Sequence, residues 1–183
     1  MKRYFNNKFS DTEISTTNPN FFEKKFQRNG KEYHFNFWDT AGQENFNALN
    51  AIYYQGAVAA LIVYDVNIFD TFEKVKKWVN ELKQMLGNDV IFVIAGNKFD
   101  LVKSKDELNK NKQIIDSYVA SEKVRHFYTS AKSGENLTEM FDYLIQQVLE
   151  KIKNDPKKPV KGKLKLTQMN GDEFKGKQKE KCC

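Results

Sequence analysis

The sequence predicts an α/β domain, a mostly parallel sheet with helices on both faces. Three observations carry that expectation. AALIVYDV (59–66) and VIFVIAG (90–96) are short apolar runs without alternation, the pattern of strands covered on both sides. The stretches that follow them repeat apolar residues at three- and four-residue steps, which is a helical stripe. Each polar cluster falls just after a strand, where open α/β sheets bind their ligands.

The elements follow in order. Phe22 to Gln27 and KEYHFNFW (31–38) are extended runs around Asn29-Gly30, a two-residue hairpin signal, with Tyr33, Phe35 and Phe37 alternating onto one face. AALIVYDV is the next strand. Phe72, Val75, Val79, Leu82 and Leu86 then mark a helix, with Asp70 and Glu73 as a capping box. VIFVIAG follows, then a helix expected over 106–122, then a short strand, HFYTS (126–130). Leu137, Phe141, Leu144, Val148 and Ile152 give the last helix. From about Asn154, Pro156, Pro159, three glycines and dense lysine end the periodicity, so residues 155–183 are expected to be a flexible basic tail.

At 183 residues, 40% of them hydrophobic, the chain has the size of one domain with a real core. The net charge of +6 raises the question of nucleic acid. Residues 155–183 carry nine lysines against four acids, a net +5, leaving 21 basic and 20 acidic residues over 1–154. The folded part is nearly neutral, and no aromatic residues interleave with a basic surface, which argues against nucleic acid. No stretch approaches the roughly 18 apolar residues of a membrane-spanning helix, and MKRYFNNKFS lacks the apolar centre of a signal peptide, so a cytosolic protein is expected. The two cysteines, Cys182 and Cys183, end the chain and have no histidine cluster with which to build a metal site.

In IFVIAGNKFDL (91–101) a strand ends in Asn97, Lys98 and Asp100. Guanine presents two adjacent donors and the acceptors O6 and N7. A carboxylate such as Asp100 accepts both donors in a bidentate pair that adenine does not offer; Asn97 reaches N7 and the Lys98 stem lies on the ring face. The backbone N–H of Ala131 or Lys132, in TSAK (129–132), reaches O6 from the other side. A four-residue polar turn carries little weight alone; its order relative to TSAK and to WDTAGQE (38–44) gives it meaning.

Together WDTAGQE, YYQGAVAALIVYDV, GNKFDL and TSAKSGENL resemble the Rab family of Ras-like small GTPases, from residue 3 to about 153, with most similarity to the endosomal Rabs. The resemblance implies a P-loop NTPase-like fold over residues 1–154, GTP or GDP and Mg²⁺ as ligands, and a base site completed by Ser130, Ala131 and Lys132. It assigns Mg²⁺ to Asp39 and to Thr16, the γ-phosphate contact to the Gly42 N–H, and orientation of the attacking water to Gln43. Phe21, Trp38 and Tyr53 match the aromatic triad that partner proteins read. The residue after GQE is Asn45 where the family commonly has arginine, which bears on exchange-factor contacts. Cys182 and Cys183 match a double prenylation site, two lipids giving the stable anchoring that one does not. The implied protein is a monomeric switch of vesicle traffic on the cytoplasmic face of endosomal membranes, cycling with cytosol. Its implied partners are effectors, activating and exchange proteins, and the prenylation and escort machinery.

The family grips phosphate with G-x-x-x-x-G-K-[ST] after its first strand. Here the Gly-Lys pairs 30–31, 162–163 and 176–177 are followed by Glu32, Leu164 and Gln178, and none is expected to be preceded by the other glycine after a strand, so none completes that motif. The family's first strand and P-loop are therefore expected to be missing, Met1 falling inside the first helix. At least four charge-assisted hydrogen bonds lost, at roughly 1.5–3 kcal/mol each, would cost about four to eight orders of magnitude in affinity. The missing strand, central in the family's sheet, would also empty a core layer. The reading at this point is a truncated chain, inactive as written, of a working GTPase. The rival is a nucleotide-free Rab-like binding protein that kept the surface of Phe21, Trp38 and Tyr53.

Overall fold

In this computed structural model the described residues are 1–12, 20–28, 30–40, 54, 56–154 and 164–170, with Lys105, Glu107 and 164–170 described as backbone only. A short helix α1 (Lys2–Asn6) precedes a hairpin of β1 (Asn20–Arg28) and β2 (Lys31–Asp39). Then come β3 (Ala57–Asp65), α2 (Phe69–Leu86), β4 (Ile91–Asn97), a 3₁₀ turn (Phe99–Leu101), α3 (Lys105–Glu122), β5 (His126–Tyr128), α4 (Leu137–Asn154) and β6 (Leu164–Asn170).

The six strands form one sheet in the order β1-β2-β6-β3-β4-β5. Only the hairpin pair is antiparallel; β2-β6, β6-β3, β3-β4 and β4-β5 are parallel. The hairpin register pairs Arg28 with Lys31 across a two-residue loop. Gly30 sits there at φ +72°, a left-handed conformation in which glycine meets no Cβ penalty.

Strand alternation divides the core into two layers. Phe35, Phe37, Ala59, Leu61, Val93 and Ala95 face α4, where Phe141, Leu144 and Val148 complete a buried cluster. The α1 rings close that layer: Tyr4 stacks on Phe141 at 4.0 Å, and Phe5 on Phe22 at 4.8 Å. On the opposite face Ala60, Ile62, Phe92 and Ile94 pack against Phe72, Val75, Val79 and Leu82 of α2 and Ile115 of α3. Each fully buried large apolar side chain contributes roughly 1.5–3 kcal/mol. The helical stripes read from the sequence thus point at the sheet as expected.

Two expectations change. α2 begins at Phe69 with Ile68 as its N-cap and no side-chain cap, so Asp70 and Glu73 form no capping box there. Thr71 instead ties the helix start to the end of β3, its Oγ1 lying 2.6 Å from the Ile68 carbonyl and accepting the Asp65 N–H at 3.0 Å.

The larger change concerns the tail. Residues 155–183 read as flexible from composition, yet Leu164–Asn170 form β6 in the middle of the sheet. Phe35, Phe37 and Asp39 of β2 stand opposite Leu164, Leu166 and Gln168, and Ala59 and Ile62 of β3 stand opposite Leu166 and Met169. The central strand position expected to be empty is occupied by the backbone of β6. Without it β2 and β3 would each expose a row of backbone N–H and C=O groups, and unpaired backbone is costly to bury. That pairing demand outweighs the tail's low hydrophobicity.

Candidate functional site

The site grows from the carboxyl ends of β3, β4 and β5. The register places Asp65 beside Asn97, and Gly96 beside both Tyr64 and Tyr128, so three strand tips end level with one another. Thr129 and Ser130, fully buried, carry the chain from β5 into the next loop. The Thr129 N–H donates to the Gly96 carbonyl at 2.8 Å, and the Thr129 carbonyl accepts the Phe99 N–H at 3.0 Å. The two loops are therefore laced by backbone before any side chain acts.

Two side-chain bonds complete the lacing. Ser130 Oγ donates to Asp100 Oδ1 at 2.5 Å, and the Ala131 N–H donates to Asn97 Oδ1 at 3.0 Å. Asn97 spends its oxygen inward, which leaves its amide nitrogen as the group to meet a ligand acceptor. Asp100 stays exposed, and because a carboxylate oxygen holds two lone pairs, the Ser130 bond does not exhaust it.

Lys98 lies between them at φ +64°, a left-handed conformation costing a non-glycine residue roughly 1–2 kcal/mol. The Leu101 N–H donates to its carbonyl at 3.0 Å and the Asn67 amide at 3.2 Å. Its Nζ is 2.8 Å from Asp65 Oδ2, an ion pair that ties the aliphatic stem back toward the tip of β3. Asp65, 8% exposed, is oriented in turn by the Asn67 N–H and side-chain amide at 2.9 and 3.0 Å. Sequence reasoning missed Asp65. Its signal, an aspartate ending an apolar strand, acquires meaning only once the register sets it beside Asn97.

Lys132 is exposed and pairs with Asp11 at 2.8 Å, while Arg3 donates to the Ser133 carbonyl at 3.1 Å. The N-terminal segment thus braces the loop that carries Ala131. Asp39, 7% exposed, stands at the tip of β2 with Gln168 of β6 opposite it.

A family model described as the Ras family matches residues 1–150. The mouse Ras-related protein Rab-21 is 43% identical over 153 residues, covering 84% of this chain and 68% of that protein. Rab-21 of Dictyostelium discoideum is 41% identical over 147 residues (80% and 68%), and the GTP-binding protein YPT53 of Saccharomyces cerevisiae is 37% identical over 150 (80% and 68%). This chain is a Rab-type member of the Ras family.

In this Ras-family chain the described residues bring Asn97, Lys98, Asp100, Ser130 and Ala131 into one connected group. Phe21 is 45% exposed and lies 5.1 Å from the half-buried Trp38, a pair of rings on the hairpin's outer face. Thr16, Gly42, Gln43, Tyr53, Cys182 and Cys183 lie outside the described residues. Membership of the Ras family implies guanine nucleotide and Mg²⁺ in general terms. Among the described residues no three His, Cys, Asp or Glu side chains cluster as a metal cage. A magnesium ion bound largely by phosphate and water needs no such cage, and one strand-tip carboxylate such as Asp39 fits it.

Proposed function

We propose that the chain is a guanine-nucleotide-dependent switch of vesicle traffic whose base site is the clasp of Asn97, Lys98, Asp100 and the Ser130–Lys132 loop. The observation that carries this is the pair of bonds Ser130 to Asp100 and Ala131 to Asn97, which present a carboxylate and an amide nitrogen from one laced edge. Asp100 accepts the two guanine donors, the Asn97 amide donates to N7, and the Lys98 stem, held by Asp65, forms the floor. With the Ala131 N–H committed to Asn97, the Lys132 N–H is the donor we assign to O6.

The Rab-type resemblance supplies the remaining roles. Thr16 and Asp39 hold Mg²⁺, which would neutralise phosphate charge. The Gly42 N–H meets the γ-phosphate, and Gln43 orients the water that attacks it. Phe21, Trp38 and Tyr53 present the nucleotide state to effectors, while activating and exchange proteins set its lifetime. Prenyl groups on Cys182 and Cys183, with the tail's lysines, hold the protein to anionic endosomal membrane.

Base selectivity tests the clasp. Asp100→Ala removes two charge-assisted hydrogen bonds, each worth roughly 1.5–3 kcal/mol, so guanosine and GDP affinity should fall by about two to four orders of magnitude while adenine nucleotides are unaffected. Equal binding of GDP and ADP by the unmodified chain would overturn the reading.

A further inference from the structure

One side chain from the far end of the sequence reaches the loop that carries Ser130 and Ala131. Arg3 belongs to α1, whose Tyr4 and Phe5 rings pack against Phe141, Phe22 and Phe37. The Asn7 N–H closes the helix behind it, donating to the Arg3 carbonyl at 3.1 Å. Arg3 therefore starts from a fixed backbone. Its Nη2 donates to the Ser133 carbonyl at 3.1 Å, across 130 positions of sequence.

The next residue shows how the guanidinium is turned. Gly134 has φ +90°, a left-handed conformation that suits glycine. A Cβ there would lie 3.3 Å from Arg3 Nε and 3.5 Å from Nη2, with Cζ farther away at 3.9 Å. The Nε–Nη2 edge, which carries two parallel donors, thus faces the Ser133–Gly134 peptide. A lysine ammonium offers a single point and no such edge.

What Arg3 holds is the turn that sets Ser130. The Gly134 N–H donates to the Ser130 carbonyl at 2.8 Å, and the Ser133 N–H donates to Ser130 Oγ at 3.0 Å. A serine hydroxyl has one proton to give. With the Ser133 N–H on its oxygen, Ser130 gives that proton to Asp100 Oδ1 at 2.5 Å. Asp100 is exposed on a 3₁₀ turn of three residues, so this bond restrains the direction in which its carboxylate faces.

We infer that Arg3 is a positioning residue of the guanine site: acting through Ser133 and Ser130, it aligns the Asp100 carboxylate with the paired N1–H and amine donors of the base. The inference rests on the base-site reading above. Its consequence is specificity more than affinity. A carboxylate free to swing keeps one of two parallel bonds and loses the other, so the exocyclic amine that separates guanine from hypoxanthine goes unread.

Calorimetric titration of the full chain with guanosine, inosine and adenosine tests this. These nucleosides carry no phosphate, so a change in the protein's net charge alone leaves their binding as it was. The unmodified chain should prefer guanosine to inosine by about 10-fold or more. Arg3→Gln, and Arg3→Lys, which keeps the charge and the stem, should each weaken guanosine by about 3- to 10-fold and leave inosine within about twofold. Lys8→Gln removes a charge from the same segment and should leave both within about twofold. Hydrogen exchange at the Gly134 N–H should quicken in the Arg3 variants while exchange over residues 144–148 of α4 stays slow, which separates a loosened turn from an unfolded domain.

Arg3 variants that bind guanosine as the unmodified chain does overturn the inference and leave the base clasp standing. An unchanged guanosine-to-inosine ratio with both affinities lowered also overturns it, since lost stability alone produces that result. So does a Lys8→Gln variant as weak for guanosine as Arg3→Gln. An unmodified chain that binds guanosine and adenosine alike, or binds neither, removes the base site and the role of Arg3 with it.

Discussion

Gly96 shows how closely the base loop is tied to the core. A Cβ on this residue would lie 2.6 Å from Val66 Cγ1 and 2.8 Å from the Tyr64 hydroxyl. Val66 and Tyr64 are on or beside β3, so either the β3–β4 pairing or the Tyr64 ring must shift. Gly96→Ala should therefore cost about 1–3 kcal/mol, the usual range for overpacking a tight interior, read as a lower urea midpoint. It should also weaken guanosine binding, because Asn97 is the next residue. His126 makes a second residue-scale prediction. Its Nε2 is 3.0 Å from the Tyr64 hydroxyl, and burial pushes its pKa from 6.5 down to about 4. The folded state keeps the ring neutral where the unfolded chain takes a proton, so stability is fully present above about pH 6.5. It is lost as the pH falls toward 4, by up to about 3 kcal/mol at 1.36 kcal/mol per pKa unit. Urea midpoints measured across that window should fall, and in His126→Asn the fall should be flatter.

Among the elements, β6 carries the most consequence and was the least legible. Strands β3 and β4 and helices α2 and α4 announce themselves because burial on both faces, or along one stripe, leaves a periodic apolar mark. Asn97, Lys98 and Asp100 were equally legible, since their order after a strand has a chemical meaning of its own. LKLTQMN has no such mark; its placement follows from what β2 and β3 lack, and no local pattern records the need of a distant neighbour. Asp65 was illegible for the same reason, being defined by register. Because β6 is a central strand, Leu166→Pro removes a donor from its ladder and should cost about 3 kcal/mol or more, visible as a drop in the thermal midpoint. Lys179→Pro, beyond the strand, should leave that midpoint unchanged.

At the scale of the whole molecule, α1 and β6 bring the two ends of the chain to one sheet. α1 braces the base loop through Arg3 and packs Tyr4 and Phe5 against α4 and the hairpin. β6 separates the hairpin from the strands that carry the base site. Changes at the tip of β2, where Asp39 lies, thus reach β3 and β4 only across a strand recruited from the C-terminal end. The Ras-family switch and its tail are in this chain mechanically one object.

The course of β6 also sets the length of any leash. Thirteen residues separate Asn170 from the end of the chain at Cys183, and fully stretched they reach about 45 Å. Because β6 runs parallel to β3 and β4, with Asn170 opposite Val63 and Asp65 opposite Asn97, that leash starts from the same rim of the sheet that carries Asn97 and Asp65.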